Sequence, residues 1–237
     1  MIGIIGAMDS EVEILISKLE NSKIEKHGST VFYTGSLCGK EVVVAKCGIG
    51  KVCAAVCAQT MIDLYNVERL INTGVAGGIA EGLKVGDIVI ANDLVQHDFD
   101  LTEFGYAKGY LPCSGQSDKS VPTRFAADRS LIDAFCEAAQ KLGISGISVG
   151  TIVSGDIFVS SSAMKEEFIS LYGASATEME GAAIAQTAFL SGVPFAVIRA
   201  LSDTADEQAS VSFDEFEKNA AEVSSNMTLE FLRTYRI

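Results

Sequence analysis

Residues Pro194 to Glu207 read PFAVIRALSDTADE: four apolar residues in a row, Phe195 to Ile198, opened by a proline and followed by Arg199 and Asp203. An uninterrupted apolar run of this length marks a strand covered on both faces, because a half-exposed strand would alternate. Similar runs recur at Ile2 to Gly6 and Arg69 to Asn72, and segments of helical period lie between them. Strands that need cover on both faces, alternating with helices that carry one apolar stripe, fold as a sheet between helical layers. In such folds ligands collect outside the carboxyl ends of the strands. Arg199 and Asp203 are therefore read at the mouth of a strand, as candidates for chemistry rather than solubility.

The rest of the chain fits the same frame. Val12, Leu15, Ile16 and Leu19 form an i, i+3, i+4, i+7 stripe, which predicts a helix with Glu11 in its first turn. Val31 to Leu37 and Glu41 to Lys46 flank Gly39-Lys40 as a hairpin, and Cys47-Gly-Ile-Gly-Lys51 leads into a helix through Asn66. The buried strand at Arg69 to Asn72 ends in Thr73-Gly-Val-Ala-Gly-Gly78; strands follow at Asp87 to Val95 and Ile147 to Val153, with a helix from Asp128 to Leu142 between them. Ala174 to Glu178 precedes a helix at Gly181 to Leu190. A last helix opens on the capping box Ser212-x-x-Glu215, with Phe216, Ala220, Val223, Met227 and Phe231 as its stripe. The fold class expected is α/β, a three-layer sandwich around a central mixed β-sheet.

With 237 residues, three prolines and no Ser/Gly-rich linker, the chain reads as a single domain over 1–237. A net charge of −13 repels nucleic-acid phosphates and anionic membranes, so neither is expected as a partner. No apolar run approaches the roughly 18 residues of a membrane span. Six cysteines form no C-x-x-C, and none pairs with a histidine at ligand spacing. Cys53 and Cys57 are expected to pack as small apolar residues, and with no signal-like N-terminus a reducing cytoplasm is expected. No metal or cofactor is expected.

One motif carries more weight than the glycines. Gly48-Ile-Gly50 and Gly74-Val-Ala-Gly-Gly78 match neither G-x-G-x-x-G nor a phosphate loop, and they serve equally as tight turns or as places where backbone meets a ligand. Glu178-Met-Glu180 is sharper. While the chain stays extended the two carboxylates point the same way into one cleft; the plainer reading is an acidic helix N-terminus. The apolar run Ala182 to Ala185 that follows means that these acids enter a buried region and need partners there. His97-Asp98-x-Asp100 reads as a turn in preference to a metal site, and Phe158 and Met179 serve equally well as core.

Taken together, GIIGAMDSEV, KCGIGKVCAA, INTGVAGG, LKVGDIV, HDFDLTEFGY, IVSGDIF, ATEMEGAAIAQ and RALSDTAD resemble, in order and over nearly the whole chain, the bacterial 5′-methylthioadenosine/S-adenosylhomocysteine nucleosidases of the purine nucleoside phosphorylase and uridine phosphorylase superfamily. The resemblance implies a homodimer in which water cleaves the N-glycosidic bond between adenine and a 5′-thio-substituted ribose. It implies Asp203 as the acid at N7 of adenine with Ser202 orienting it, and Glu11 as the base on the attacking water. Glu180 is implied at the ribose hydroxyls, Met179 beneath the sugar, and Arg199 and Glu178 around the water. Phe158 would stack on the base and Val159 offer backbone groups to its Watson–Crick edge, with Ala76 and Gly77 also against the substrate. Met8, Ile49 and Phe213 would wall the alkylthio pocket; Leu101, Phe104 and Pro112 would enter the partner subunit's site. Independently of the resemblance, the apolar Leu101, Phe104, Tyr106 and Leu111 in one loop-rich segment read as a dimer contact.

The implied chemistry needs two acids with opposite duties, one protonated to meet the departing purine and one ionised to meet the water. Arg199 is expected to point to the water side. Many relatives carry Ser where this chain has Val75, which removes one hydroxyl from the water network. A phosphorylase of the same fold is the first rival, but Ile71-Asn72 stands where an arginine is typical of such enzymes, and only Lys51 and Arg199 offer charge nearby. A binding protein for adenosine-type ligands is the second, and it has no need of Glu11, Glu180 and Asp203 together.

Overall fold

The computed structural model describes residues 1–236. In chain order the elements are β1 (Ile2–Gly6), α1 (Asp9–Ser17), β2 (Glu20–His27), β3 (Thr30–Leu37), β4 (Lys40–Lys46), α2 (Lys51–Tyr65), β5 (Arg69–Gly78) and β6 (Ile88–Gln96). They continue with β7 (Phe125–Ala126), α3 (Arg129–Lys141), β8 (Ile147–Ser154), α4 (Ser162–Tyr172), β9 (Ala174–Glu178), α5 (Gly181–Ser191), β10 (Phe195–Asp203) and α6 (Ala209–Thr234).

All strands join one mixed sheet in the order β10-β6-β8-β9-β5-β1-β4-β3-β2, with β7 on β6. An additional β10–β5 pairing closes β5, β10, β6, β8 and β9 into a ring, and β1, β4, β3 and β2 extend from it as an open wing. Alternation along each strand sends side chains to two cores. In β4, Val43 and Ala45 face the core that contains Cys57 and Met61 of α2 and Ala182 to Ala185 of α5. Val42 and Val44 face the other, with Leu15 of α1, Phe135 of α3 and Phe231 of α6. Phe135 and Phe231 stack there with centroids 4.1 Å apart. The mixed sheet between helical layers expected from the sequence is the fold observed.

Several local expectations change. β5 does not end at Asn72 but runs on to Gly78, and β10 runs through Arg199 to Asp203. The two pair in parallel from Phe195↔Leu70 to Asp203↔Gly77. The glycines at 74, 77 and 78 are therefore strand residues with ordinary φ, not turns. Arg199 lies inside a strand, fully buried, and only Asp203 stands at its end. The last helix starts at Ala209, so Ser212 is inside it and Ser212-x-x-Glu215 caps nothing. The turn before it is held instead by Asp206, whose Oδ1 accepts the Gln208 N–H at 2.9 Å and whose carbonyl accepts the Ala209 N–H at 2.9 Å. Leu19 falls beyond the end of α1, and the exposed β2 was not anticipated: it pairs antiparallel with β3 and extends the expected hairpin to three strands. Cys57 packs in the core as expected, whereas Cys53 is exposed.

Candidate active site

The carboxyl ends of β1, β5, β9 and β10 converge on a cavity of about 360 Å³. Its wall is built from Ala7, Met8, Glu11, Ile49, Val75, Ala76, Gly77, Phe158, Thr177, Glu178, Met179, Glu180, Ser202, Asp203 and Phe213. No lysine, arginine or histidine is among these lining residues.

Glu11 is placed by its own helix. As the third residue of α1 its side chain turns back, and Oε2 accepts the N–H groups of Ala7 at 2.6 Å and Met8 at 3.0 Å. Oε1 accepts the Val75 N–H from β5 at 2.9 Å. A carboxylate oxygen has two lone pairs; both on Oε2 are taken and one on Oε1 is left for the cavity. β5 can come this close only because residue 74 is glycine: a Cβ there would lie 2.3 Å from Oε1. Burial raises the Glu11 pKa, while Arg199 and the three backbone donors hold it down.

Glu178 lines the cavity with its carboxylate engaged by protein partners. Its carboxylate accepts from the Ser154 hydroxyl, the Arg199 guanidinium, and the backbone N–H groups of Glu180 at 3.0 Å and Gly181 at 2.7 Å. Arg199 also donates to the side-chain oxygen of Asn72 and, at 3.1 Å, to the carbonyl of Ile198. Both members of this ion pair are almost wholly buried. Arg199 therefore stays off the wall and acts on Glu11 through its field. Glu178 and Glu180 do not act as an extended pair, because the backbone turns into α5 at Glu180 (φ −131, ψ −40). Glu180 instead accepts the Gly50 N–H at 2.8 Å. Burial and the neighbouring Glu178 raise its pKa.

Asp203 has a different setting. Oδ2 accepts from the Ser202 hydroxyl at 2.9 Å and Oδ1 from the Ala205 N–H at 2.9 Å. Ser202 has an alternative acceptor in the Ala76 carbonyl at 3.4 Å. Burial raises the Asp203 pKa, and no arginine bonds to it. Gly77 makes room for it, since a Cβ there would meet Oδ1 at 2.7 Å. Farther out, the rings of Phe158 and Phe213 meet edge to face with centroids 5.7 Å apart, and Met8, Ile49 and Val75 make this side apolar.

Of the sequence-predicted residues, Glu11, Glu178, Met179, Glu180, Phe158, Ser202, Asp203, Ala76, Gly77, Met8, Ile49 and Phe213 share the one cavity. Val159 is buried behind it, in a cluster with Ile79, Val153 and Phe168. Leu101, Phe104 and Pro112 do not reach it; Phe104 is 76% exposed, whereas Leu111 is core at 2% and takes no part in a surface patch. His97 is buried against Phe168, with ring centroids 4.4 Å apart. Lys51 is engaged by Asp98 at 2.6 Å. Sequence reasoning missed Asn72 and Ser154, which complete the site only through partners distant in the chain, and Thr177, which lines the cavity.

The sequence profile of the phosphorylase superfamily matches residues 1–233. The 5′-methylthioadenosine/S-adenosylhomocysteine nucleosidase of Haemophilus influenzae (strain PittEE) is 43% identical to this chain, over 98% of each. The corresponding nucleosidase of Neisseria meningitidis, solved in complex with methylthio-immucillin-A, superposes with a TM-score of 0.92 at 45% identity and 99% coverage of both chains. That of Colwellia psychrerythraea 34H, solved in complex with adenine, gives a TM-score of 0.88 at 39% identity, over 98% of this chain and 93% of the other. With fold, cavity and full-length similarity in agreement, this chain belongs to the phosphorylase superfamily and, within it, to the 5′-methylthioadenosine/S-adenosylhomocysteine nucleosidases.

Proposed function

We infer that the chain hydrolyses the N-glycosidic bond of 5′-methylthioadenosine and S-adenosylhomocysteine, releasing adenine and the 5-substituted ribose, in methionine salvage and S-adenosylmethionine recycling. The apolar 5′ end of the cavity discriminates weakly between substituents, so 5′-deoxyadenosine is a substrate as well. The observation that carries the reading is a cavity lined by four buried carboxylates, of which Glu11 and Asp203 sit in unlike settings, with no cation on its wall.

Loss of adenine leaves positive charge on the sugar and puts electrons on the purine. Asp203, whose pKa burial raises, donates its proton to N7; Ser202 fixes the carboxyl through one oxygen and the Ala205 N–H through the other. Glu11, whose pKa burial raises against the opposing pull of three N–H groups and the field of Arg199, takes the proton of the attacking water, in its ionised form, on its one open lone pair. Glu180 receives the ribose hydroxyls, with Met179 beneath the sugar and Phe158 against the base. Glu178 and Arg199 position the water side. With base and water on opposite faces of the sugar, the displacement inverts the anomeric centre.

A phosphorylase would need cations around a phosphate dianion. Arg199 is committed to Glu178 and Asn72, and Lys51 to Asp98. The experiment is incubation with methylthioadenosine in phosphate-free buffer: adenine and free 5-methylthioribose form at a rate that added phosphate does not raise. A sugar 1-phosphate as main product overturns the hydrolase. The chain works as a single-domain cytoplasmic homodimer in which Leu101, Phe104 and Pro112 complete the partner's 5′ pocket. In support, α2 carries Val52 and Val56 outward one turn apart, 74% and 59% exposed, an apolar strip suited to cover by a second copy.

A further inference from the structure

The buried face of α6 is apolar at Ala221, Met227 and Phe231, yet Ser224, Ser225 and Thr228 stand wholly buried among them. Burying a hydroxyl is unfavourable unless it bonds, so the partners decide what these three do. Thr228 donates back to the Ser224 carbonyl at 3.0 Å, an ordinary bond within one helix. The two serines reach out of the helix toward the active site. Ser224 Oγ accepts the Gly74 N–H of β5 at 3.0 Å and lies 2.7 Å from the Thr73 hydroxyl. Ser225 Oγ donates to the carbonyl of Glu11 in α1 at 3.2 Å.

Register between β1 and β5 ends at Ile5↔Asn72. Past that point two successive N–H groups of β5 go to side chains: Gly74 to Ser224, and Val75 to Glu11 Oε1 at 2.9 Å. Ser224 thus holds the peptide next to the one that bonds the catalytic carboxylate, and Ser225 holds the backbone that carries this carboxylate. Adjacent residues on a helix point about 100° apart, so a single turn of α6 grips strand and helix at once. The distance from the Val75 N–H to the Glu11 carboxylate is set by that grip, and with it the direction of the one lone pair that Glu11 leaves open to the cavity.

We propose that Ser224 and Ser225 are positioning residues for the water-activating base: through β5 and α1 they hold Glu11 in place against Val75. The inference rests on the nucleosidase reading above. The other charged and titratable groups around Glu11 are Arg199 of β10, the cavity carboxylates Glu178, Glu180 and Asp203, Cys47 after β4, and Glu217 of α6, which bonds Ser10. None of these bonds to either serine, so serine substitutions leave them in place. Loosening the Val75 N–H therefore acts on Glu11 in one direction. It weakens a donor that favours the ionised form, and Glu11 then protonates at higher pH.

Ser224→Ala and Ser225→Ala each remove one hydroxyl; Thr228→Val removes a hydroxyl of the same helix face that bonds to neither Gly74 nor Glu11. Adenine release from methylthioadenosine is followed across pH. Ser224→Ala is expected to move the acid limb of kcat/KM up by about one pH unit, the scale of one hydrogen bond to a carboxylate, and to lower kcat about tenfold. Ser225→Ala moves both in the same direction by less. Thr228→Val melts lower than wild type but keeps the limb where it was. In a Glu11→Gln background Ser224→Ala costs less than about twofold in kcat, because the group it positions is already gone. An acid limb unmoved in both serine variants overturns the proposal, as does a loss in kcat that persists undiminished in the Glu11→Gln background, or a limb shift of the same size in Thr228→Val. If Ser224→Ala does not fold, Ser225→Ala and its own cycle with Glu11→Gln decide the matter. A wild type that releases adenine while the serine variants match it at every pH sinks this inference alone; a wild type that releases none sinks the nucleosidase reading with it.

Discussion

At the scale of single residues, acid and base are separable by what each mutant can do without. Asp203→Asn is expected to lose roughly 10²- to 10⁴-fold in turnover on methylthioadenosine while still binding an analogue. Glu11→Gln loses turnover as well. On a 5-thioriboside of p-nitrophenol, whose leaving group departs without a proton, Asp203→Asn recovers most of its relative rate and Glu11→Gln does not; equal impairment of both on that substrate contradicts the assignment. The raised pKa of Asp203 also has a stability sign. The unfolded chain releases this proton as pH rises past its ordinary value of 3.8, while the folded protein keeps it until the higher native value. Stability from this group is therefore full at acid pH and lost as pH climbs through the native pKa. Asp203→Asn should melt higher than wild type near neutral pH, with the difference closing below about pH 4. Thermal melts across that range decide it.

At the scale of elements, the site depends on β5 lying closer to the carboxylates of Glu11 and Asp203 than side chains at residues 74 and 77 would allow. Gly74→Ala places a Cβ 2.3 Å from Glu11 Oε1, so the carboxylate must move. A displacement of this kind is expected to cost about 10²-fold in kcat with the fold retained. Circular dichroism and steady-state rates on one preparation test this, and unchanged kcat refutes the packing argument. The buried pair between β9 and β10 makes a second demand. Arg199→Met strands Glu178 without its counter-charge and should destabilise by about 3–5 kcal/mol, whereas Arg199→Met with Glu178→Gln should recover a large part of that loss. Urea titration of both variants and of the single Glu178→Gln completes the cycle. Additive losses would mean that the pair is not coupled.

At the scale of the whole molecule, the cavity of one chain is walled by Met8, Ile49 and Phe213 on its 5′ side, and the predicted second wall, Leu101, Phe104 and Pro112, lies outside it. Phe104→Asp is expected to weaken self-association and raise KM for methylthioadenosine about tenfold, with kcat less affected because the catalytic carboxylates are all in one chain. Sedimentation and kinetics over a dilution series check it; full activity in a demonstrated monomer refutes the shared pocket. How much of this was legible in the sequence follows from range. Apolar runs and helical stripes report each residue's own burial, so the amino-acid sequence by itself determined the α/β layering, the strands around Ile4 and Val197, and the acids to watch at Glu178, Glu180 and Asp203, since acids beside apolar runs must have partners, while Glu11 was marked by the family resemblance. Who those partners are is a matter of pairing between segments far apart in the chain, which no local period encodes. Arg199 finds Asn72 across 127 residues, and Val75 reaches Glu11 across 64. The β10–β5 pairing that closes the strand ring, the reading of residues 74–78 as strand and not turn, and the placing of Ser224 on the Gly74 N–H were decided by tertiary structure alone, because each depends on which backbone lies alongside.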